Sequence, residues 1–129
     1  MPNYVYDHIH LISADPEKAA VFYEQAFGAI RTDLRKHPDG ATSVVLSLPG
    51  TKLIITGSRI NEAIKPAVSP RQHLGLEHWG VMTDNMNETE KHLKAMGVEF
   101  VQEVTHSPAL SLCYVMAPDN VLVEILERK

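Results

Sequence analysis

Seven histidines in 129 residues exceed what packing alone requires, and their spacing is the first sign of chemistry. His8 and His10 sit in a β-rich stretch, residues 4–12. Period-2 alternation there puts Tyr6, His8 and His10 on one face and Val5, Ile9 and Leu11 on the other. Near the other end, Glu124 lies among apolar residues on both faces of a strand-like run, Val121, Leu122, Val123, Ile125 and Leu126. A carboxylate buried in such a run needs a cation or hydrogen-bond donors, because an unpaired buried charge is very costly. A divalent metal would meet that need. His78, between Glu77 and Trp79, opens another β-rich stretch. Two imidazoles and one carboxylate suit Fe(II), Mn(II), Co(II) or Zn(II), with Ni(II) also possible. His8, His78 and Glu124 are therefore the candidate metal ligands. Each has a plainer alternative, a polar exposed strand face for His8 and His10, a structural histidine for His78 and exposure at a strand edge for Glu124.

The elements that position these residues are marked by turn signals. After the first strand, Asp15-Pro16-Glu17 opens a helix, with aspartate as N-cap and proline at the first helical position. The helix runs to about Phe27 and Gly28 closes it. The turns at 37–40 (HPDG) and at Pro49-Gly50 separate strands over 29–36, 41–48 and 51–57. A long loop over 58–75 follows, carrying Pro66 and Pro70. The pattern then restarts with a strand over 76–83. Asn87-Glu88-Thr89-Glu90 has capping-box spacing before a helix to Met96, and Gly97 ends it. Strands over 98–104, 110–117 and 120–127 complete the chain.

Both halves thus read strand–helix–strand–strand–strand. The expected organisation is one α+β domain over 1–129, with module 1 at about 1–57, a linker at about 58–75 and module 2 at about 76–129. The offsets support a repeat of pattern: His8 and His78 lie 70 apart, Gly28 and Gly97 69 apart, and Ile54 and Glu124 70 apart. Missing such a repeat would misassign the fold. Pseudo-symmetric pairing of equivalent strands would bring His8 opposite His78, with Glu124 beside it. The fourth equivalent position is Ile54, which cannot bind a metal, so the site would have three protein ligands and an open side.

Composition narrows the function classes. Hydrophobic residues make up 44% and charged residues 22%, as in ordinary globular chains. The formal charge is −4 and the 12 Lys and Arg residues are not clustered, so no nucleic-acid partner is expected. No stretch approaches the roughly 18 apolar residues of a membrane span. MPNYVYDHIH lacks the form of a secretory signal. The single cysteine, Cys113, cannot form an internal disulfide, which favours a reducing cytoplasm. It reads as a small core residue rather than a nucleophile. His37 and His92 are expected to face solvent. His73 is expected to be a loop histidine, and His10 to line the pocket or merely pack.

Together these features resemble the vicinal oxygen chelate superfamily of glyoxalase I, methylmalonyl-CoA epimerase, bleomycin- and fosfomycin-resistance proteins and extradiol dioxygenases. Asp7-His8-Ile9 through Phe22-Tyr23 to Gly28 looks like the family's opening strand and helix. Glu77-His78-Trp79-Gly80 looks like its second-module opening, and Pro118-Asp119-Asn120 followed by Glu124 like its closing metal strand. The resemblance implies paired βαβββ modules forming a half-barrel sheet around a metal. Absence of a ligand at Ile54 points away from the four-ligand glyoxalases and toward the extradiol enzymes. The run from His106 through Tyr114 and Pro118 to Glu124 looks like the extradiol C-terminal signature, departing from it at Cys113 and Asn120. On that resemblance His106 and Tyr114 are catalytic residues that hydrogen-bond substrate or oxygen. The activity implied is a single-domain dioxygenase using Fe(II) or Mn(II) on a small aromatic or enediol-like substrate. The alternatives are a glyoxalase- or epimerase-like lyase or isomerase, and a bleomycin-resistance-like binding protein without catalysis. The resemblance also implies a homodimer, with the metal site within one chain or shared across a swapped pair.

Overall fold

The computed structural model describes residues 1–59, 62–65 and 69–129. Residues 60, 61 and 66–68, within the expected loop, lie outside the described residues. The chain divides into two compact units, Met1–Lys65 and Pro66–Lys129. Each is a βαβββ module, so the architecture is α+β.

In the first unit, β1 (Ile9–Ile12) leads to α1 (Pro16–Phe27), then β2 (Ile30–Lys36), β3 (Thr42–Leu48) and β4 (Thr51–Thr56). The sheet order is β1-β4-β3-β2, with β1 parallel to β4 and the other pairs antiparallel. Ala19, Ala20, Tyr23 and Ala26 of α1 are buried, as are Val44, Leu46, Leu53 and Ile55 of the sheet. Each large apolar side chain fully buried here contributes about 1.5–3 kcal/mol. The Asp15 side chain accepts from the Lys18 amide at 3.1 Å, and Gly28 closes the helix at φ 69°. That left-handed geometry is what glycine tolerates best.

The second unit repeats the plan with β5 (His78–Met82), α2 (Met86–Ala95), β6 (Phe100–His106), β7 (Leu110–Ala117) and β8 (Val121–Arg128). Its sheet order is β5-β8-β7-β6, with β5 parallel to β8. Its core gathers Trp79, Met86, Leu93, Cys113, Val115, Val123 and Ile125. The repeat extends to register. Ile9 pairs with Leu53 and, 70 residues on, Trp79 pairs with Val123. Leu46 pairs with Leu53 and Val115 with Val123, so the third strands are offset by 69. The difference lies in the turns: Pro49-Gly50 joins β3 to β4, whereas three residues, Pro118–Asn120, join β7 to β8.

Several boundaries differ from the sequence expectation. The first strand begins at Ile9 rather than residue 4. Its parallel register makes Thr51, the first residue of β4, the neighbour of Asp7. Anything earlier faces the turn and has no strand to pair with. Tyr6 is therefore not on the strand, and its hydroxyl bonds Thr51 Oγ1 at 2.6 Å. β5 starts at His78 rather than residue 76 for the same reason. β6 starts at Phe100 rather than residue 98, because the Val98 amide is spent on the Leu93 carbonyl at the end of α2. The cap of α2 is Asn85, not Asn87: the Asn85 side chain accepts from the Glu88 amide at 3.0 Å.

An N-cap is worth about 1 kcal/mol. Asn85→Ala should therefore lower the urea midpoint by that equivalent, while Asn87→Ala, at an exposed helical position, should change stability by less than about 0.5 kcal/mol.

Candidate metal centre

The parallel β5–β8 pair sets Gly80 beside Glu124 and His78 beside Leu122. Alternation then places His78, Gly80 and Glu124 on one face of the sheet. His78 Nε2 lies 3.0 Å from Glu124 Oε2, with the side chains 28% and 20% exposed. Gly80 has no side chain to cover that carboxylate. On the other ring nitrogen, His78 Nδ1 donates to Glu77 Oε1 at 2.9 Å. Glu77 Oε2 accepts from the Gln72 amide at 2.6 Å. The Gln72 amide, and then His78, hold the Glu77 carboxyl below its ordinary range.

The first unit repeats the device. His8 Nδ1 donates to Asp7 Oδ2 at 2.5 Å, which, followed by the charge of Lys52, holds the Asp7 carboxyl low. In both modules the acid immediately before the histidine accepts from Nδ1 and leaves Nε2 free of that bond. Metal-binding histidines are oriented in this way. The sequence signal was the acid–His dipeptide at an offset of 70, and its role was not read from it.

The donor set fits a divalent cation. A carboxylate only accepts, so the contact between His78 Nε2 and Glu124 Oε2 needs a proton or a metal ion between the two atoms. Imidazole nitrogen and carboxylate oxygen are ligands for first-row divalent metals. Within each unit, among the described residues, no three His, Cys, Asp or Glu side chains gather at metal-ligand spacing. His78 and Glu124 form a pair in Pro66–Lys129, and His8 belongs to Met1–Lys65.

Tyr114 and His106 separate. Tyr114 is the cross-strand partner of Glu124, and its ring meets His78 edge-on at 5.2 Å. The Arg71 guanidinium stands 5.0 Å from the Tyr114 ring centroid. Burial, and then the Glu124 charge, push the Tyr114 phenol up, so it stays protonated as a donor at neutral pH. His106 pairs across strands with Ser111 and bonds its hydroxyl at 2.7 Å. Ser111 is opposite Glu127, which accepts from the Met86 amide at the start of α2. His106 therefore lies on the sheet face that Glu127 shares with α2, not on the face of Tyr114 and Glu124. An odd spacing of residues along β7 between Ser111 and Tyr114 sends them to opposite faces. His73 is a loop residue whose Nδ1 meets the Leu74 carbonyl at 3.2 Å.

The corresponding face of the first unit is polar in a different place. His10 Nε2 bonds Thr56 Oγ1 at 2.6 Å, Thr56 bonds Ser43 Oγ at 2.7 Å, and Ser43 bonds His37 Nε2 at 2.8 Å. Both hydroxyl residues are buried. His37 is exposed, as the sequence suggests, yet its ring is tied into this row. The Ser43 and Thr56 hydroxyls, which the sequence did not single out as a pair, become visible only once strand register is known. A cleft of about 540 Å³ runs over the row and is lined also by His8, Arg35, Ile54 and Arg59.

Fold and site now meet the comparisons. The family model for the Glyoxalase/Bleomycin resistance protein/Dioxygenase superfamily matches residues 5–125, and the chain belongs to that superfamily. It is 25% identical to a lactoylglutathione lyase of Schizosaccharomyces pombe over 98% of its own length and 46% of the lyase's. The chain thus spans about half of that relative. Among solved structures it is similar to a glyoxalase family protein of Bacillus cereus, at a TM-score of 0.82 and 15% identity, over 98% of this chain and 96% of that one. It is also similar to the fosfomycin resistance protein FosX of Listeria monocytogenes, at a TM-score of 0.71 and 19% identity, over 97% and 92% of the two chains. These structural likenesses establish the fold. No helix among the described residues is long and apolar enough to cross a membrane.

Cys113 is buried and burial, with the Glu90 and Glu103 charges, pushes its thiol up to about 11. That leaves no thiolate for nucleophilic chemistry at neutral pH. An unfolded thiol loses its proton near the ordinary value of 9.0, so between these values the folded state holds more protons and stability falls as pH rises. The wild type should lose on the order of 1 kcal/mol per pH unit over this window relative to Cys113→Val. Urea unfolding at closely spaced pH values measures the difference.

Proposed function

We propose that the chain is a metal-dependent enzyme in which His8, His78 and Glu124 hold one divalent ion, Fe(II) or Mn(II) before Zn(II), Ni(II) or Co(II). Its activity would be most like that of a single-domain extradiol-type dioxygenase on a small aromatic or enediol-like substrate. The observation that carries this reading is the His78–Glu124 pair, with Glu77 on the far nitrogen of the imidazole. When bound, the ion would supply Lewis-acid polarisation and a template for adjacent substrate oxygens. Ile54 supports a three-ligand set, because it occupies the module-1 position equivalent to Glu124 and offers no donor.

The chain's own groups supply the rest. Glu77 and Asp7 fix the imidazole tautomers. Tyr114, protonated and adjacent to Glu124, would donate to a substrate oxygen. Arg71 over its ring would favour an anionic substrate on that side. His106 is not carried into this mechanism, because it lies on the opposite sheet face.

A second reading, a lyase or isomerase that moves a proton through an enediolate, is favoured by the 25% identity to lactoylglutathione lyase. Ile54 counts against it. The lone buried cysteine supports a reducing, cytoplasmic setting, and we propose a homodimer, as the family resemblance implies.

Elemental analysis of protein purified without chelator or tag metal separates the readings. About one iron or manganese per chain, lost in Glu124→Ala, and oxygen uptake with catechols would support the dioxygenase. Stoichiometric zinc or nickel without oxygen uptake would favour the lyase or isomerase. No metal after anaerobic reconstitution would leave a binding protein. Glu77→Gln and Asp7→Asn should each weaken metal affinity about 10–100-fold, read by competition with a chromophoric chelator. Unchanged affinity in both would remove the positioning role.

A further inference from the structure

The two modules divide their polar groups between different positions. Register equates Ile54 with Glu124, and Val45 with Tyr114. At these positions module 1 is apolar and module 2 carries the chemistry. The same register equates Thr56 with Leu126 and Ser43 with Leu112. There the polarity is reversed: module 1 has buried hydroxyls where module 2 has leucines. The hydroxyl row is thus a property of module 1 alone and is not a general feature of the repeated unit.

A buried hydroxyl pair is costly unless satisfied, and here an imidazole satisfies each end. Three hydrogen bonds join His10, Thr56, Ser43 and His37, each imidazole bonding through Nε2. The row thus holds each ring by one nitrogen and does not use Nδ1. Both rings line the cleft.

Two guanidinium groups line the same cleft. Arg35 is the cross-strand neighbour of Ser43. Only its Nε is engaged by Asp33, at 2.9 Å, so its two-Nη edge keeps donors to spare. Arg59 has one loose contact with Glu62, at 3.5 Å. Asp39, the one acid among the described lining residues, accepts from the Ala41 amide at 3.0 Å within its own turn. The balance of the lining is positive.

We propose that this cleft of module 1 is an oxyanion-binding subsite, in which Arg35, Arg59 and the His10–Thr56–Ser43–His37 row take the phosphate, phosphonate or carboxylate group of a small substrate. Paired N–H edges of arginine match the geometry of such groups, and the hydroxyl row fixes the two imidazoles before the anion arrives. That the anion belongs to the substrate transformed at the metal rests on the reading under Proposed function. The subsite itself does not.

The test uses chelator-treated full-length protein with inorganic phosphate as the probe, at constant ionic strength maintained with chloride. Imidazole resonances of His10 and His37 should shift saturably, with a dissociation constant in the millimolar range or below. Arg59→Gln and Arg35→Gln, both at exposed positions, should raise that constant at least about fivefold, roughly 1 kcal/mol by the usual conversion. Glu124→Ala should leave it unchanged. A parallel titration with acetate reports whether a planar carboxylate is held as well as a tetrahedral anion. Absence of saturation with both anions, or shifts that survive in both arginine variants, would overturn the subsite. Phosphate binding to a protein that never takes metal would leave the subsite standing and overturn the metal reading. Stoichiometric metal with no anion binding would do the reverse.

Discussion

In each module the three strands after the helix pair antiparallel, and the first strand joins their sheet at the edge of the fourth. It must lie parallel to it, because the helix returns the chain to the same end of the sheet. This parallel contact brings together residues 46 apart, His78 with Glu124 in one unit and His10 with Thr56 in the other. Without it neither the His78–Glu124 pair nor the hydroxyl row could form. Strand alternation then decides which side chains share a face. Tyr114 is brought to Glu124 and His106 is excluded by the same rule.

The helices serve the site indirectly. They occupy the opposite faces, where Leu46, Leu53 and Ile55 or Val115, Val123 and Ile125 are buried. That leaves the functional faces free to carry polar groups at positions a symmetric sandwich would have required to be apolar. In module 2 Tyr114 and Glu124 lie between the Leu112–Leu126 and Met116–Leu122 cross-strand pairs, and in module 1 apolar Ile54 and Val45 adjoin the hydroxyls. Each polar cluster is thus partly shielded from water by its own neighbours, and this strengthens its hydrogen bonds.

Much of the fold was legible in the sequence. Asp15, Pro16, Gly28, Gly97 and the turn residues punctuate both modules, and the 70-residue offset revealed the repeat. Strand starts were less legible, because a strand ends where its partner ends, and Tyr4–His8 have β character without a neighbour. The cap of α2 went to Asn85 over Asn87 because only Asn85 accepts from the Glu88 amide, a choice made by backbone geometry. The contact between His78 and Glu124 was signalled in the sequence, because a carboxylate in an apolar strand needs a partner. Asp7, Glu77, Ser43 and Thr56 were not, since acids and hydroxyls are common and only register shows what they face. His106 misled because its place in a linear motif says nothing about which face it takes.

The turns between the last two strands of the modules, Pro49-Gly50 and Pro118–Asn120, differ by one residue while every side chain beyond them keeps its face. An added residue at that tip is absorbed locally, in module 2 by Asp119 and Asn120 at positive φ of 62° and 58°, which asparagine and aspartate tolerate. The hairpin tip therefore acts as a slack point in an otherwise rigidly phased sheet. The two halves could drift in length there without disturbing the alternation on which both polar faces depend, and the same tip marks where the chain would accept an inserted segment with least disturbance.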